Sequence, residues 1–124
     1  MKNIKNSDAL YSEADYMLAA ADLEMQRSSE DVVTHTICYK SRQSITNYLR
    51  GYLLHMGIEP QAPFSMEHLR KQCLAIDNHF EGLDLSVLPC REEEGHASYC
   101  LSVDKVAECL QVANEVRDMV RHNK

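Results

Sequence analysis

Arg91 and His96 come closest to a reactive pair, five residues apart in the run CREEEGHASYC from Cys90 to Cys100. A histidine titrating near neutrality can take a proton from a ribose 2'-hydroxyl, and an arginine fork can stabilise charge on an attacked phosphate. Together they hold the parts for metal-independent cleavage of a phosphodiester. The residues between them oppose that chemistry. Glu92, Glu93 and Glu94 repel a phosphate and favour the charged imidazolium of His96, which weakens it as a base. The alternative is an exposed acidic loop in which Arg91 pairs with a glutamate. Cys90, His96 and Cys100 are metal-ligand types, but their spacing fits no zinc pattern and a fourth ligand is missing. No metal and no cofactor is expected.

A second charged set, Lys40, Arg42 and Arg50, lies in the stretch from Val32 to Pro60, and Arg70 and Lys71 follow it. It is either an anion site, with Arg50 as a ligand contact, or a solvated face making i,i+4 pairs. The net charge of −6 and pI of about 5.4 bear on this choice. Such a chain does not gather phosphate backbones through its overall field, so non-specific DNA binding is not expected, while a local basic site stays open.

Helices must position these groups. The 124 residues, 44% hydrophobic with 4 Gly and 3 Pro, predict one compact all-α domain over residues 1–124. The organising stretch is Val32 to Gly57. Ile37, Ser41, Ser44, Tyr48, Tyr52 and Met56 recur at spacings of three and four, which places them on one helix face. Gly57 is the expected left-handed stop, with Ile58 folding back onto Leu53 or Leu54 and Pro60 blocking resumption. Gly51 and the two serines let a neighbouring helix approach closely.

Before it, Ser7 is expected to cap a helix with the stripe Leu10, Ala14, Met17, Ala21 and Met25, antiparallel to the long one. Ser29 or the Glu30–Asp31 pair is expected to cap the long helix. After it, Ser65 is the expected cap of a third helix with the stripe Leu69, Cys73, Ile76 and Phe80, and His68 reads as a structural histidine. An irregular loop from Gly82 to Leu101 precedes the last helix, whose stripe is Val106, Leu110, Ala113, Val116 and Val120. The fold class that follows is a four-helix up-and-down bundle.

The five cysteines have no close pairing and read as reduced, largely buried thiols. MKNIKNSD lacks the apolar core of a signal peptide, and no run is long enough for a membrane span, so a cytoplasmic protein is expected. Tyr48, Tyr52 and the leucines around them offer more apolar surface than one bundle is expected to hide, which predicts a homodimer.

Gln43 flanked by small residues, the segment Arg50-Gly51-Tyr52-Leu53-Leu54, the Gly57-Ile58 stop, His68-Leu69, and Ala97-Ser98-Tyr99 leading into a last helix together resemble a HEPN domain over most of the chain. Thr46-Asn47 stand where members usually carry Glu-Lys. The resemblance implies a helical bundle, often dimeric, that binds a nucleotide or RNA and accompanies a nucleotidyltransferase or another protein, with Tyr99 and Arg50 as candidate ligand contacts. It also implies an alternative, a toxin-like ribonuclease of the toxin–antitoxin kind acting through Arg91 and His96, because members that cleave RNA carry an arginine four to six residues before a histidine. Seven arginines and six histidines in this chain give about one such pair by chance. Arg50 to His55 and Arg117 to His122 share the spacing but fall inside expected helices. A purely structural assembly module is the third reading.

Overall fold

The computed structural model describes residues 4–28, 32–83, 85 and 103–122. It is a bundle of four α-helices, α1 (Ile4–Met25), α2 (Thr34–His55), α3 (Met66–Ile76) and α4 (Val103–His122), with a 3-10 turn at Asn78–Gly82 and no strand among the described residues. No helix among them is long and apolar enough to cross a membrane.

The long helix forms the centre of the bundle. Ile37, Ser41, Ser44, Tyr48 and Tyr52 are all buried as their spacing requires, while Met56 at the end of the face is 41% exposed. Its C-terminus closes as expected. Gly57 takes a φ of 84°, its N–H donates to the Leu54 carbonyl at 3.0 Å, and the Ile58 N–H donates to the Leu53 carbonyl at 2.8 Å. These two bonds satisfy carbonyls that the helix end would otherwise leave without donors. The N-terminus departs from expectation. Val33 occupies the cap position without a side-chain cap, and its own N–H donates to Glu24 Oε2 of α1 at 2.8 Å. Ser29, Glu30 and Asp31 lie outside the described residues.

α1 begins before Ser7, so Ser7 is inside the helix and does not cap it. Its hydroxyl donates to the Gly51 carbonyl at 2.8 Å. With no side chain at Gly51, the Tyr11 ring lies against α2 there: a Cβ on Gly51 would stand 2.7 Å from Tyr11 Cε1. Ser7 meets Gly51, Tyr48 meets Asp15 and Val33 meets Glu24, so α1 and α2 run antiparallel. The buried stripe of α1 is Ser7, Ala14, Leu18 and Ala21, whereas Leu10 and Met17 are only half-buried. The observed stripe is rotated because α1 packs against both α2 and α4.

Ser65 caps α3, accepting the His68 N–H at 3.2 Å. The expected run of Ile76 and Phe80 on one helix is corrected: α3 stops at Ile76, which is 39% exposed, and Phe80 reaches the core from the 3-10 turn. Asp77 makes the break. Its Oδ1 accepts the His79 N–H at 2.9 Å, and its Oδ2 accepts the Tyr52 hydroxyl at 2.8 Å. A carboxylate with those partners holds the turn against α2 more tightly than another helical residue would.

The Val106, Leu110, Ala113, Val116 and Val120 face of α4 is buried as its spacing predicts, joined by Cys109 and Val112. Cys38, Cys73 and Cys109 are buried. Burial pushes the Cys73 thiol up to about 12, so it stays protonated and inert, donating to the Leu49 carbonyl at 3.7 Å.

Asp77 also links stability to pH. The His79 N–H first, and the Tyr52 hydroxyl second, hold its carboxyl below the ordinary carboxylate range. A depressed native value stabilises the fold fully above the unfolded carboxylate value of about 3.9, and that stabilisation is lost as pH falls through the lower native value. Asp77→Asn is therefore less stable than the parent at neutral pH. The gap in urea midpoint narrows between about pH 6 and about pH 3; a constant gap would show that the carboxylate charge has no part in it.

Candidate ligand-binding face of the central helix

Sequence reasoning singles out Arg91, His96, Tyr99 and Arg50 as site residues. Arg91, His96 and Tyr99 lie outside the described residues, as do Cys90 and Cys100. Arg50 is on α2, with its guanidinium carbon 4.8 Å from the centroid of the Phe64 ring. This is cation–π range. Its Nε is buried and finds no hydrogen-bond partner among the described residues. The other two Arg–His pairs of matching spacing fall within helices as expected, Arg50 and His55 on α2 and Arg117 and His122 on α4. Five residues of helix turn their side chains about 140° apart, so neither pair converges on one phosphate.

The surroundings of Arg50 are more informative than any one pair. From Thr34 to His55, α2 contains Lys40, Arg42, Arg50 and two histidines, and no aspartate or glutamate. At about 100° per residue, His35, Tyr39, Arg42, Gln43, Thr46 and Arg50 share the arc opposite the buried face. His35 and Tyr39 are exposed, and the others are half-buried. Tyr39 is 53% exposed and Phe64 44%. From Tyr39 to Arg50 the helix rises about 16 Å.

Among the described residues, three carboxylates accept hydrogen bonds from α2 side chains on its other faces. Glu13 accepts from Asn47 at 3.4 Å, Asp15 from Tyr48 at 2.5 Å and Asp77 from Tyr52 at 2.8 Å. All three α2 partners are buried, on the inward side or its flank. The outer arc therefore combines local positive charge with two exposed aromatic rings. Cations can hold phosphate oxygens, and the rings can stack on bases.

A separate polar groove of about 420 Å³ is lined by Asp15, Leu18, Ala19 and Asp22 of α1, Tyr48 of α2, and Arg117 and Arg121 of α4. Asp15 accepts from both the Tyr48 hydroxyl and Arg121, and Arg121 also lies 5.6 Å from the Tyr11 ring centroid. Burial, and then Asp15, push the Tyr48 phenol up, so it remains a donor throughout the accessible pH range. Its two aspartates balance its two arginines, and the Asp15 contacts tie α4 to α1 and α2. The groove is a clamp between helices and has no net charge to attract an ion.

His68 is half-buried, and its backbone N–H completes the α3 cap. Among the described residues no group of three His, Cys, Asp or Glu side chains could hold a metal. From the sequence the α2 basic residues read either as an anion site or as a solvated face. The absence of acids from α2 was the available signal, and the role of Phe64 was not visible because it comes from the loop after Pro60.

Compared with protein-family models, with curated proteins and with solved structures, the chain gives no match.

Proposed function

We propose that this chain is a HEPN-like binding module for a phosphate-bearing ligand, a nucleotide or an RNA, acting beside a nucleotidyltransferase or another protein. The outer arc of α2 is its ligand surface. The observation that carries this reading is a 22-residue helix without a single carboxylate, inside a chain of net charge −6, with Arg50 over Phe64 and Tyr39 exposed three turns away on the same arc. The negative field of the whole chain disfavours long-range capture, so the expected binding is modest and depends on close contact.

The test is a fluorescence-anisotropy titration with labelled single-stranded RNA, repeated with ATP as competitor, at low salt. Binding is expected to weaken as salt rises, because phosphate contacts release counterions. Arg50→Glu is expected to weaken it at least about tenfold, which corresponds to about 1.4 kcal/mol. Arg117→Glu, in the clamp, should matter much less. No binding of either probe at about 100 μM, or equal loss from both substitutions, would remove the assignment of this face.

A further inference from the structure

Two exposed rings mark opposite ends of the α2 arc. Tyr39 is 53% exposed at one end, and Phe64, 44% exposed, stands at the other, where the Arg50 guanidinium carbon lies 4.8 Å from its ring centroid. Eleven residues, three turns of helix, separate Tyr39 from Arg50, a rise of about 16 Å. Arg42, Gln43 and Thr46, between them on the same arc, are only half-buried, so the two rings stand proud of the stretch that joins them. The Phe64 loop is fixed on both sides. Before it, the Gln61 N–H donates to Gln72 Oε1 at 2.9 Å and Gln72 Nε2 donates to the Gln61 carbonyl at 3.0 Å; after it, Ser65 caps α3. A ring held in place before a ligand arrives loses little freedom on binding.

Resting on the ligand face proposed above, the geometry points to a single-stranded RNA that lies lengthwise along α2, with one base stacked on Tyr39 and another, a few nucleotides on, stacked on Phe64. A free nucleotide has one base and engages one ring only. Two bases joined by a single phosphodiester do not reach across the span, which is about five nucleotides at the 3.4 Å stacked rise and fewer where bases are splayed onto side chains. A strand of about four to six nucleotides covers both rings. A duplex does not fit, because its bases stack on one another and turn only their edges to a protein. The phosphates between the two stacked bases pass over a helix with Arg42 and Arg50 on this arc and no carboxylate of its own. Since the chain's charge of −6 keeps long-range attraction weak, the rings decide which lengths bind. Tyr39 is thereby the residue that sets ligand length.

Competition against a labelled adenylate octamer, read by fluorescence anisotropy at low salt, tests this with ATP and with adenylates of two, four, six and eight nucleotides. ATP and the dinucleotide are expected to bind alike, affinity to rise at least about fivefold by six nucleotides, and little to change from six to eight. Phosphate contacts alone would add affinity with every nucleotide, whereas two rings give a step that ends. Tyr39→Ala is expected to remove the step, weakening the hexamer at least about fivefold, with ATP binding and Tm unchanged, because ATP needs only the Phe64 end and the Tyr39 side chain is exposed. Hexamer affinity indifferent to Tyr39→Ala, or no gain from two to six nucleotides, overturns the lengthwise strand and leaves the α2 face as a nucleotide site. Binding of neither ATP nor any oligomer at about 100 μM removes the face itself, and the strand with it.

Discussion

Phe80→Ala is expected to lower the unfolding free energy by about 3–5 kcal/mol, a large share of the 5–15 kcal/mol that holds a typical domain together. Phe80 is fully buried, with its ring centroid 5.0 Å from that of Tyr52 and their planes inclined at 59°. It belongs to a five-residue 3-10 turn, too short to persist unless its side chain is anchored. Removing the ring leaves a cavity beside Tyr52 and frees the turn that brings Leu83 and Leu85 into the core. Urea denaturation followed by far-UV circular dichroism gives the loss directly. The companion substitution is Ile76→Ala, one turn earlier in what sequence spacing presents as a single stripe. Ile76 is 39% exposed, and the expected cost is below about 1 kcal/mol. Similar losses from the two would mean that α3 continues through Asp77 and that Phe80 is an ordinary helix-face residue.

The second large effect is at Gly51. Replacing a glycine by alanine in a helix interior ordinarily gains about 1 kcal/mol from helix propensity. Here the sign is expected to reverse. The new Cβ would meet Tyr11 Cε1 at 2.7 Å, Tyr11 Cδ1 at 2.8 Å and Leu10 Cβ at 3.4 Å. The ring does not retreat cheaply, because Arg121 lies over it and its hydroxyl is buried. Overpacking of this kind costs about 1–3 kcal/mol, so Gly51→Ala should be destabilised and Gly51→Leu more so, to about 3 kcal/mol or beyond. Gly82→Ala is the control, since nothing lies within 4 Å of a Cβ there. Thermal melts of the three variants decide the matter: a Gly51→Ala chain more stable than the parent would mean that Tyr11 moves freely. In a Tyr11→Leu background the Gly51→Ala penalty should shrink, because the obstructing ring is gone.

Much of the bundle follows from spacing along the chain. The buried faces of α2 and α4, the Ser65 cap and the Gly57 stop depend on residues within a turn or two of one another, and local sequence carries such information. Helix ends next to another element were less accessible. Ser7 has the chemistry of a cap, but the carbonyl of Gly51, 44 residues away, takes its hydroxyl. Asp77 looks like one more residue between two stripe positions until the Tyr52 hydroxyl arrives from α2. The stripe of α1 is set by two neighbours at once, which its own periodicity does not reveal.

The candidate surfaces divide in the same way. That α2 carries basic residues and no acids is legible in the chain alone, because composition within one helix needs no partner to be counted. Packing between elements settles that Glu13, Asp15 and Asp77 meet α2 through buried Asn47, Tyr48 and Tyr52, that Phe64 returns to lie under Arg50, and that Tyr16 and Leu23 face outward while Tyr48 and Tyr52 do not. The physical reason is that helix periodicity tells which side chains share a face, whereas burial depends on which elements pack against it.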